Sequence, residues 1–107
     1  MLCYDLDGNL VWQKPMGPFQ DEFGAASSPI LLDDKIILNE DHDVDSFLIA
    51  IEQATGKTVW KTPREGFTRS YSTPVVWEQN GERQLVVAGA LVRIPTPWVP
   101  RAVVKQI

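Results

Sequence analysis

The sequence predicts an all-β chain that is built from antiparallel four-stranded units. Two observations predict this class. The apolar runs are short, rich in β-branched residues and bounded by glycine, proline, aspartate, asparagine or serine, which is the pattern of strands. Several segments also recur at an interval of 45 to 48 residues, an interval that is typical of repeats containing four strands.

The repeat is clearest around two tryptophans. Trp12 and Trp60 lie 48 positions apart, and so do Gly8 and Gly56. Downstream of each tryptophan, the segments that recur 45 positions apart are SSPILL at 27–32 and STPVVW at 72–77. Each of these is followed by another apolar run, so every repeat contains the same succession of strands.

The first predicted strands lie near residues 2–6 and 10–14. The dipeptide Asp7-Gly8 lies between them, and Asp-Gly is typical of a two-residue hairpin turn of type I′. These two strands therefore form a hairpin at the end of one unit.

One complete unit follows. Its four predicted strands span residues 26–32, 35–40, 47–52 and 58–62. Asp33-Asp34 joins the first two strands, and the turn from Ala54 to Lys57 contains a glycine that is available for positive φ. The apolar runs are continuous rather than alternating, so we expect these strands to be covered on both faces.

The next unit begins with predicted strands near 71–78 and 83–89, and then the pattern breaks. The segment after Gly89 contains three prolines, which remove ladder donors and exclude one continuous central strand. Two interpretations stay open: a native irregular tail, or a slip of the reading frame near Val92. The second strand of this unit is therefore expected to lack the third strand of its blade as a partner. The tail can cover its edge only partly, because prolines cannot donate to the ladder, although residues 102–104 could form a short stray strand if the tail is native.

A period of 45 to 48 residues with four strands is the repeat length of a β-propeller blade. Residues 1–16 then end one blade, 26–63 form a complete blade, 70–90 begin the next, and 91–107 are an irregular tail. Propellers need about four to eight blades to close a ring. We therefore interpret the chain as an incomplete propeller domain, not a closed ring, whose first partners are the remaining blades of a longer parent chain.

The turn of the complete unit carries a specific residue pattern. Ala50, Glu52, Thr55, Gly56 and Trp60 fit Ala-x-Glu-x-x-Thr-Gly-x-x-x-Trp. This pattern resembles the tryptophan-docking motif of quinoprotein-like (PQQ-type) β-propeller repeats, in which an aspartate is usual at the place of the glutamate.

A second copy of the motif aligns if its turn is one residue shorter. Cys3 then takes the alanine place, Asp5 the acidic place, Asp7-Gly8 the Thr-Gly place and Trp12 the tryptophan place. A large flat ring at a fixed offset can bridge neighbouring blades, and burying it removes about 150–250 Å² from water. We therefore expect both tryptophans of the motif to be buried between strands or blades rather than to bind a ligand.

The resemblance covers about residues 2–89 and implies a non-catalytic propeller that serves as a binding or assembly scaffold, with a protein partner, in the bacterial periplasm or cell envelope. Two alternatives stay open: a fragment of a PQQ-dependent alcohol or sugar dehydrogenase, and a propeller sensor domain of a larger multidomain protein. Only the dehydrogenase would bring PQQ and calcium. Dehydrogenases of this family often carry a vicinal cysteine pair, whereas Cys3 is the only cysteine here, which favours the scaffold.

The acidic segment DHDVDSFLIAIE, at 41–52, has carboxylates at positions 1, 3, 5 and 12, which is the spacing of an EF-hand loop. Its second half is already predicted as a strand. At ~3.3 Å per residue, that strand would carry Glu52 roughly 20 Å from Asp45. The segment is therefore not expected to form an EF-hand.

Asp41, Asp43 and Asp45 remain candidate ligands for a looser calcium site, because clustered carboxylates suit a hard cation. We favour the alternative of a solvated acidic loop that binds no metal. His42 is the only histidine, and the sequence supplies no nucleophile for it, so we expect an exposed loop side chain and no catalytic triad.

Neighbouring strands of an antiparallel unit run in opposite directions, so every second loop lies at the same end. This places three loops at one end of the complete unit, near 15–25, 40–46 and 63–70. Loops carry most binding residues, so this rim is the candidate ligand face. The residues expected there are Arg64, Arg69, Tyr71 and Phe19. The alternative is that these are ordinary solvated loops.

Composition excludes some classes of function. The formal net charge of −4 and the absence of a basic block argue against nucleic-acid binding. A single cysteine excludes an internal disulfide. No apolar run approaches the ~18 residues of a membrane-spanning helix, and the first residues lack the pattern of a signal peptide.

Overall fold

The computed structural model describes residues 1–18, 26–42, 45–65 and 70–89, together with the backbone of short strands at 92–93, 98–99 and 102–106. The described residues form strands and turns and contain no helix. All strand pairs are antiparallel. The all-β prediction is therefore confirmed, and no helix in the described part of the chain could span a membrane.

The strands in chain order are β1 (Leu2–Tyr4), β2 (Leu10–Gln13), β3 (Ile30–Leu32), β4 (Lys35–Glu40), β5 (Phe47–Glu52), β6 (Thr58–Pro63), β7 (Val75–Gln79), β8 (Glu82–Ala88), β9 (Val92–Arg93), β10 (Trp98–Val99) and β11 (Ala102–Gln106).

These strands form three main sheets. Sheet 1 contains β1 and β2, sheet 2 has the order β3-β4-β5-β6, and sheet 3 has the order β11-β8-β7. Strands β9 and β10 pair with each other in a separate two-stranded sheet. No sheet in the described part of the chain closes on itself. The four-stranded unit predicted between residues 26 and 63 is thus present as sheet 2.

Sheet 2 is apolar on both faces, as its continuous apolar runs predict. Side chains alternate along a strand, so Ile49 and Ile51 point to one face while Leu48 and Ala50 point to the other. One face packs on Trp12 and partly buried residues of sheet 1, and the other packs on Leu85 and its neighbours in sheet 3. Sheet 2 is therefore sandwiched between the other two sheets.

The first strand of sheet 2 is shorter than predicted. It begins at Ile30 rather than at residue 26. The residues before it follow another course, in which the Ser27 hydroxyl donates a hydrogen bond to the Asn39 carbonyl. Pro29 also lacks the N–H that a paired strand residue would supply. Strand β7 likewise begins directly after Pro74.

The turn of type I′ lies elsewhere than predicted. In the loop between β1 and β2 only Gly8 has positive φ, at 86°, so Asp7-Gly8 is not a two-residue turn of that type. The loop runs from residue 5 to residue 9, and Asp5 organises it by accepting hydrogen bonds from the backbone of Asp7 and Asn9 at 3.0 and 2.8 Å. The two-residue turn with both φ values positive is Asn80-Gly81, between β7 and β8, at 53° and 77°.

The tail is more regular than predicted. Strand β11 pairs with β8 along its whole length, from Ala102 opposite Ala88 to Gln106 opposite Gln84. The expectation that the tail covers β8 only partly is therefore wrong, whereas the short strand expected at 102–104 is present and runs on to Gln106. Pairing is possible because β11 begins after the last proline, Pro100, so every residue in it has a backbone donor.

Candidate functional site

Two loops of sheet 2 meet at one end of that sheet. The loop after β4 and the segment after β6 approach each other, and the backbone N–H of Arg64 donates to the Ser46 carbonyl at 2.8 Å. Asp41 and Ser70 form an isolated antiparallel bridge there. This end of the sheet contains the acidic segment and part of the candidate ligand face, so we treat it as the candidate site.

A buried ion pair holds the two loops together. Arg64 donates from Nε to Asp41 Oδ1 at 2.7 Å and from Nη2 to Oδ2 at 2.9 Å, and both residues are 3% exposed. Asn39 adds a donor from Nδ2 to Asp41 Oδ2 at 3.1 Å. Both carboxylate oxygens of Asp41 are thus already engaged, and the guanidinium faces the interior.

This placement corrects two expectations. Asp41 is not part of a solvated acidic loop, and Arg64 is not on an open ligand face, since both residues are buried. Two opposite charges that are removed from water need each other as partners, which is why they pair here. Asp45 is exposed and has a left-handed φ of 59°. Among the described residues, no three acidic, histidine or cysteine side chains are grouped as they would be around a metal ion. Asp43 lies outside the described residues.

Glu40 and His42 form a second buried polar pair. Their Oε2 and Nε2 atoms lie 3.2 Å apart, and the two residues are 6% and 2% exposed. The distance suits an ion pair, but Glu40 Oε2 accepts no well-aligned hydrogen bond within the described part of the chain. Burial raises the pKa of the Glu40 carboxyl, the charged amino terminus lowers that pKa, and Asp41 raises it.

The expectation of an exposed histidine is wrong. The His42 ring lies edge-on to the Phe47 ring, with centroids 6.1 Å apart, and the backbone of His42 exchanges hydrogen bonds with the Ser46 hydroxyl. The ring is 2% exposed, and no pattern in the sequence identifies it as buried.

An open cleft lies beside the buried cluster. The residues that line it are Met16, Gly17, Pro18, Asp45, Ser46, Phe47, Lys61 and Pro63. The Lys61 ammonium stands 4.0 Å above the centre of the Phe47 ring, a cation–π contact. The cleft therefore combines prolines and Met16 with one cation and one carboxylate, whereas Phe47 is only 7% exposed and belongs mainly to the core. Of the other predicted ligand-face residues, Tyr71 is 41% exposed, whereas Phe19 and Arg69 lie outside the described residues.

A distinct contact joins sheets 1 and 2. Trp12 is 9% exposed and lies against the turn that contains Gly56, so close that a Cβ on this glycine would be 2.7 Å from two ring carbons. The indole N–H of Trp12 donates to the Gln53 carbonyl at 2.8 Å. Only glycine fits at this point, because the ring fills the space and φ is 77°. The sequence indicated the glycine and the tryptophan but not the carbonyl acceptor, since any residue can supply a carbonyl.

The two repeated turns have corresponding hydrogen bonds, although the first turn is one residue shorter. Gly56 donates to the Glu52 carbonyl at 2.9 Å, and Gly8 donates to the Asp5 carbonyl at 3.1 Å. Each acidic side chain also supports its own turn: Glu52 accepts from the Thr55 hydroxyl at 2.9 Å, as Asp5 accepts from backbone N–H groups. The internal repeat inferred from sequence is therefore a repeat of local structure.

The remaining motif residues lie in the cores on either side of sheet 2. Ala50 is fully buried directly opposite Trp60 in the β5–β6 pair. Cys3 lies opposite Trp12 and is half-buried. Trp60 lies on β6, the outer strand of its sheet, and it packs against the second core while part of its surface stays exposed.

A further contact between sheets was not predicted from the sequence. Arg83 on β8 donates to Asp33 in the β3–β4 turn at 3.3 and 2.8 Å, which ties sheet 3 to sheet 2. Both side chains are partly exposed, and the hydrogen bonds and charge of Arg83 lower the pKa of the Asp33 carboxyl.

Comparison with protein-family models, curated proteins and solved structures found no match to this chain.

Proposed function

We propose that this chain is part of a quinoprotein-like β-propeller that acts as a non-catalytic binding or assembly scaffold in the bacterial cell envelope. The observation that carries the proposal is the contact of Trp12 with the Gly56 turn. It joins sheet 1 to sheet 2 through a tryptophan and a glycine, which are the two residue types that recur 48 positions apart in the repeat. Consecutive blades of a propeller pack face to face in the same sense.

The stacking of the sheets supports this proposal. Sheet 2 has buried apolar side chains on both faces, each packed on a neighbouring sheet. Such a unit cannot bury its surface alone and depends on its neighbours, which is the property of repeat proteins. A molecule held together in this way offers a rigid frame for its loops.

The polar groups at the end of sheet 2 favour a scaffold over an enzyme. Asp41 and Arg64 satisfy each other, and Glu40 and His42 are shut away from solvent. These four side chains therefore support the fold instead of facing a substrate. The open cleft with Phe47 and Lys61 is the surface that we propose for a protein partner.

The architecture is tested by replacing the tryptophan between the sheets. We expect Trp12→Ala to lower the free energy of unfolding by about 3–5 kcal/mol, the usual range for large buried side chains. Trp77→Ala is the matched control, because Trp77 is 52% exposed, and it should cost less than about 1 kcal/mol. Urea denaturation followed by circular dichroism measures both. Equal losses would contradict the inter-sheet role of Trp12.

The scaffold role is tested in the cells that make the parent protein. A photo-crosslinking amino acid at Lys61, in the cleft, should trap a discrete protein in the envelope fraction. The same group at Lys57, an exposed lysine at the opposite end of β6, is the control and should not. PQQ-dependent reduction of an electron-acceptor dye by the parent protein, with calcium and an alcohol or sugar, would instead establish the dehydrogenase.

A further inference from the structure

The two-residue turn between β7 and β8 carries an asparagine directly before a glycine. Asn80 and Gly81 are both exposed, and their φ values are 53° and 77°. The Asn80 side chain and the Gly81 backbone N–H make no hydrogen bond within the described part of the chain. Nothing lies within 4 Å of the place where a Cβ of Gly81 would stand. The turn therefore leaves a side-chain amide unengaged beside an unhindered backbone nitrogen.

An asparagine in this position can react with its own backbone. The nitrogen of the next residue loses its proton to hydroxide and attacks Cγ, so that an N–Cγ bond forms, the Cγ–Nδ2 bond breaks and Nδ2 leaves as ammonia. Water then opens the succinimide ring. Cleavage at Cγ gives aspartate, whereas cleavage at the main-chain carbonyl gives isoaspartate, whose backbone runs through Cγ. In sum, one water is taken up and one ammonia is released.

The chain contains two other asparagines, and neither is placed for this reaction. Asn9 precedes Leu10, whose side chain hinders the backbone nitrogen, and its amide donates to Asp5 Oδ2 at 3.1 Å. Asn39 is fully buried in β4, and its amide donates to Asp41 Oδ2 at 3.1 Å. Ring closure also requires the asparagine backbone to rotate. A paired strand prevents this rotation, whereas the tip of a hairpin permits it, because loop tips open at low cost.

The site should stay exposed in a longer protein in which further sheets follow. The turn Asp33-Asp34 joins the first two strands of sheet 2, as Asn80-Gly81 joins those of sheet 3. Sheet 2 has a neighbouring sheet on both faces, and the side chains of Asp33 and Asp34 are nevertheless 57% and 76% exposed. Sheets that pack on the faces of such a unit therefore leave this turn open to water.

We propose that Asn80 is a site of spontaneous covalent modification, at which deamidation to isoaspartate weakens sheet 3. The two-residue turn holds Gln79 opposite Glu82. An additional backbone carbon lengthens the turn and removes the left-handed residue that it requires. Arg83, which follows this pair, ties sheet 3 to sheet 2 through Asp33, so the change reaches the contact between the sheets. The modification does not depend on the proposed function.

Peptide mapping by mass spectrometry tests the site. The protein as its cells make it is kept folded in mildly alkaline buffer for several days and then digested, and an isoaspartyl methyltransferase with a labelled methyl donor detects isoaspartate. Asn80 should convert at least about tenfold faster than Asn9 or Asn39, because an unhindered nitrogen and an unengaged amide lower the barrier. Equal rates at the three positions would overturn the proposal. Conversion of Asn80 only in guanidinium chloride would overturn it as well, since the folded turn would then protect the amide.

Thermal unfolding tests the consequence for sheet 3. The aged protein should melt at least about 2 °C below the fresh protein. Freshly prepared Asn80→Asp is the matched control: it has the charge of the product, but Asp-Gly suits the same turn, so it should melt close to the fresh protein. Asn80→Gln, aged in the same way, should keep its own melting temperature, because its ring closure is slower.

Two results of the unfolding experiment would overturn the proposal. One is an aged protein that contains isoaspartate at position 80 and melts with the fresh protein. The other is a fresh Asn80→Asp variant that is as unstable as the aged protein, because the added charge alone would then explain the loss.

Discussion

The buried pair of Asp41 and Arg64 has the largest energetic consequence of any single polar contact at the candidate site. Two charges removed from water require full mutual compensation, and here two hydrogen bonds of 2.7 and 2.9 Å provide it, with Asn39 as a third donor. Removing one partner would leave the other charge buried and uncompensated. The pair therefore holds the two loops together, and its loss should destabilise the whole fold.

We expect Asp41→Asn to lower the free energy of unfolding by about 3–5 kcal/mol, the usual cost of breaking a buried ion pair. Asp34→Asn is the control, because Asp34 pairs with Lys35 on the surface and is 76% exposed. It should change stability by less than about 1 kcal/mol. Urea denaturation at neutral pH compares the two variants. A small effect of Asp41→Asn would show that water reaches the Arg64 guanidinium.

Glu40 makes stability depend on pH. Its folded-state pKa lies above its unfolded value because burial disfavours the carboxylate. The ionised group therefore destabilises the fold above the folded-state pKa, and that cost is lost as the pH falls through this pKa towards the unfolded value.

Glu40→Gln should accordingly raise the free energy of unfolding at about pH 8 and change it little at about pH 4, where the carboxyl is protonated in both states. Denaturation curves at the two pH values measure the difference. A variant that is less stable than the unmodified chain at the higher pH would mean that His42 compensates the carboxylate as a charged partner.

At the scale of elements, the glycines of the two repeated turns differ in their surroundings. A Cβ at Gly56 would collide with the Trp12 ring at 2.7 Å, whereas a Cβ at Gly8 would meet nothing within 4 Å. Both glycines have positive φ, at 77° and 86°. Comparing the same substitution at the two glycines therefore distinguishes the cost of backbone strain from the cost of disturbing the contact between sheets.

We expect Gly8→Ala to cost about 1–2 kcal/mol, the penalty for an L-residue in a left-handed conformation. Gly56→Ala should cost that amount plus about 1–3 kcal/mol, because the Trp12 ring has to move. Thermal unfolding monitored by tryptophan fluorescence compares the variants. Similar losses for both would imply that the ring shifts without cost.

The strands of sheet 2 were predictable because each is an apolar run between turn-forming residues. Lys35–Glu40 and Phe47–Glu52 agree with the sequence prediction residue for residue. Strand β3 was predicted too long, because a proline and a serine side chain take over the backbone contacts before Ile30. Local chemistry thus specifies strands well and their first residues less well.

The candidate site was less predictable than the strands. Asp41 and Arg64 lie 23 positions apart in two loops, and charged loop residues are solvated by default, so no local pattern indicated their burial. His42 was misjudged for the same reason. The Trp12 contact was within reach because it depends on residue types that recur at a fixed interval.

At the scale of the whole molecule, the final strand protects an edge. Strand β11 covers the side of β8 that would otherwise present unpaired backbone groups. Exposed strand edges promote aggregation. Sheet 2 has two edge strands of its own. One is β3, which has three residues, and the other is β6, which carries Lys61 and Pro63. Short strands, lysine and proline all discourage further pairing.

Truncation after Pro100 should therefore make the chain aggregate at concentrations at which the full chain stays clear, because β8 keeps β7 but loses its partner on the other side. Truncation after Lys105 is the control, since it leaves most of the β8–β11 register in place. Light scattering against concentration measures the effect. If both truncated chains remained as soluble as the full chain, β11 would not be the element that protects β8.

The same pairing sets an order of events during synthesis. Strand β8 is complete at Ala88, but its partner is complete only at Gln106, 18 residues later. Ribosomes add about 5–20 residues per second, so the edge of β8 stays open for roughly 1–4 s in every molecule made. Whatever slows elongation across this short interval lengthens the exposure of a nascent apolar strand, so chaperone demand should rise when slow codons are placed there.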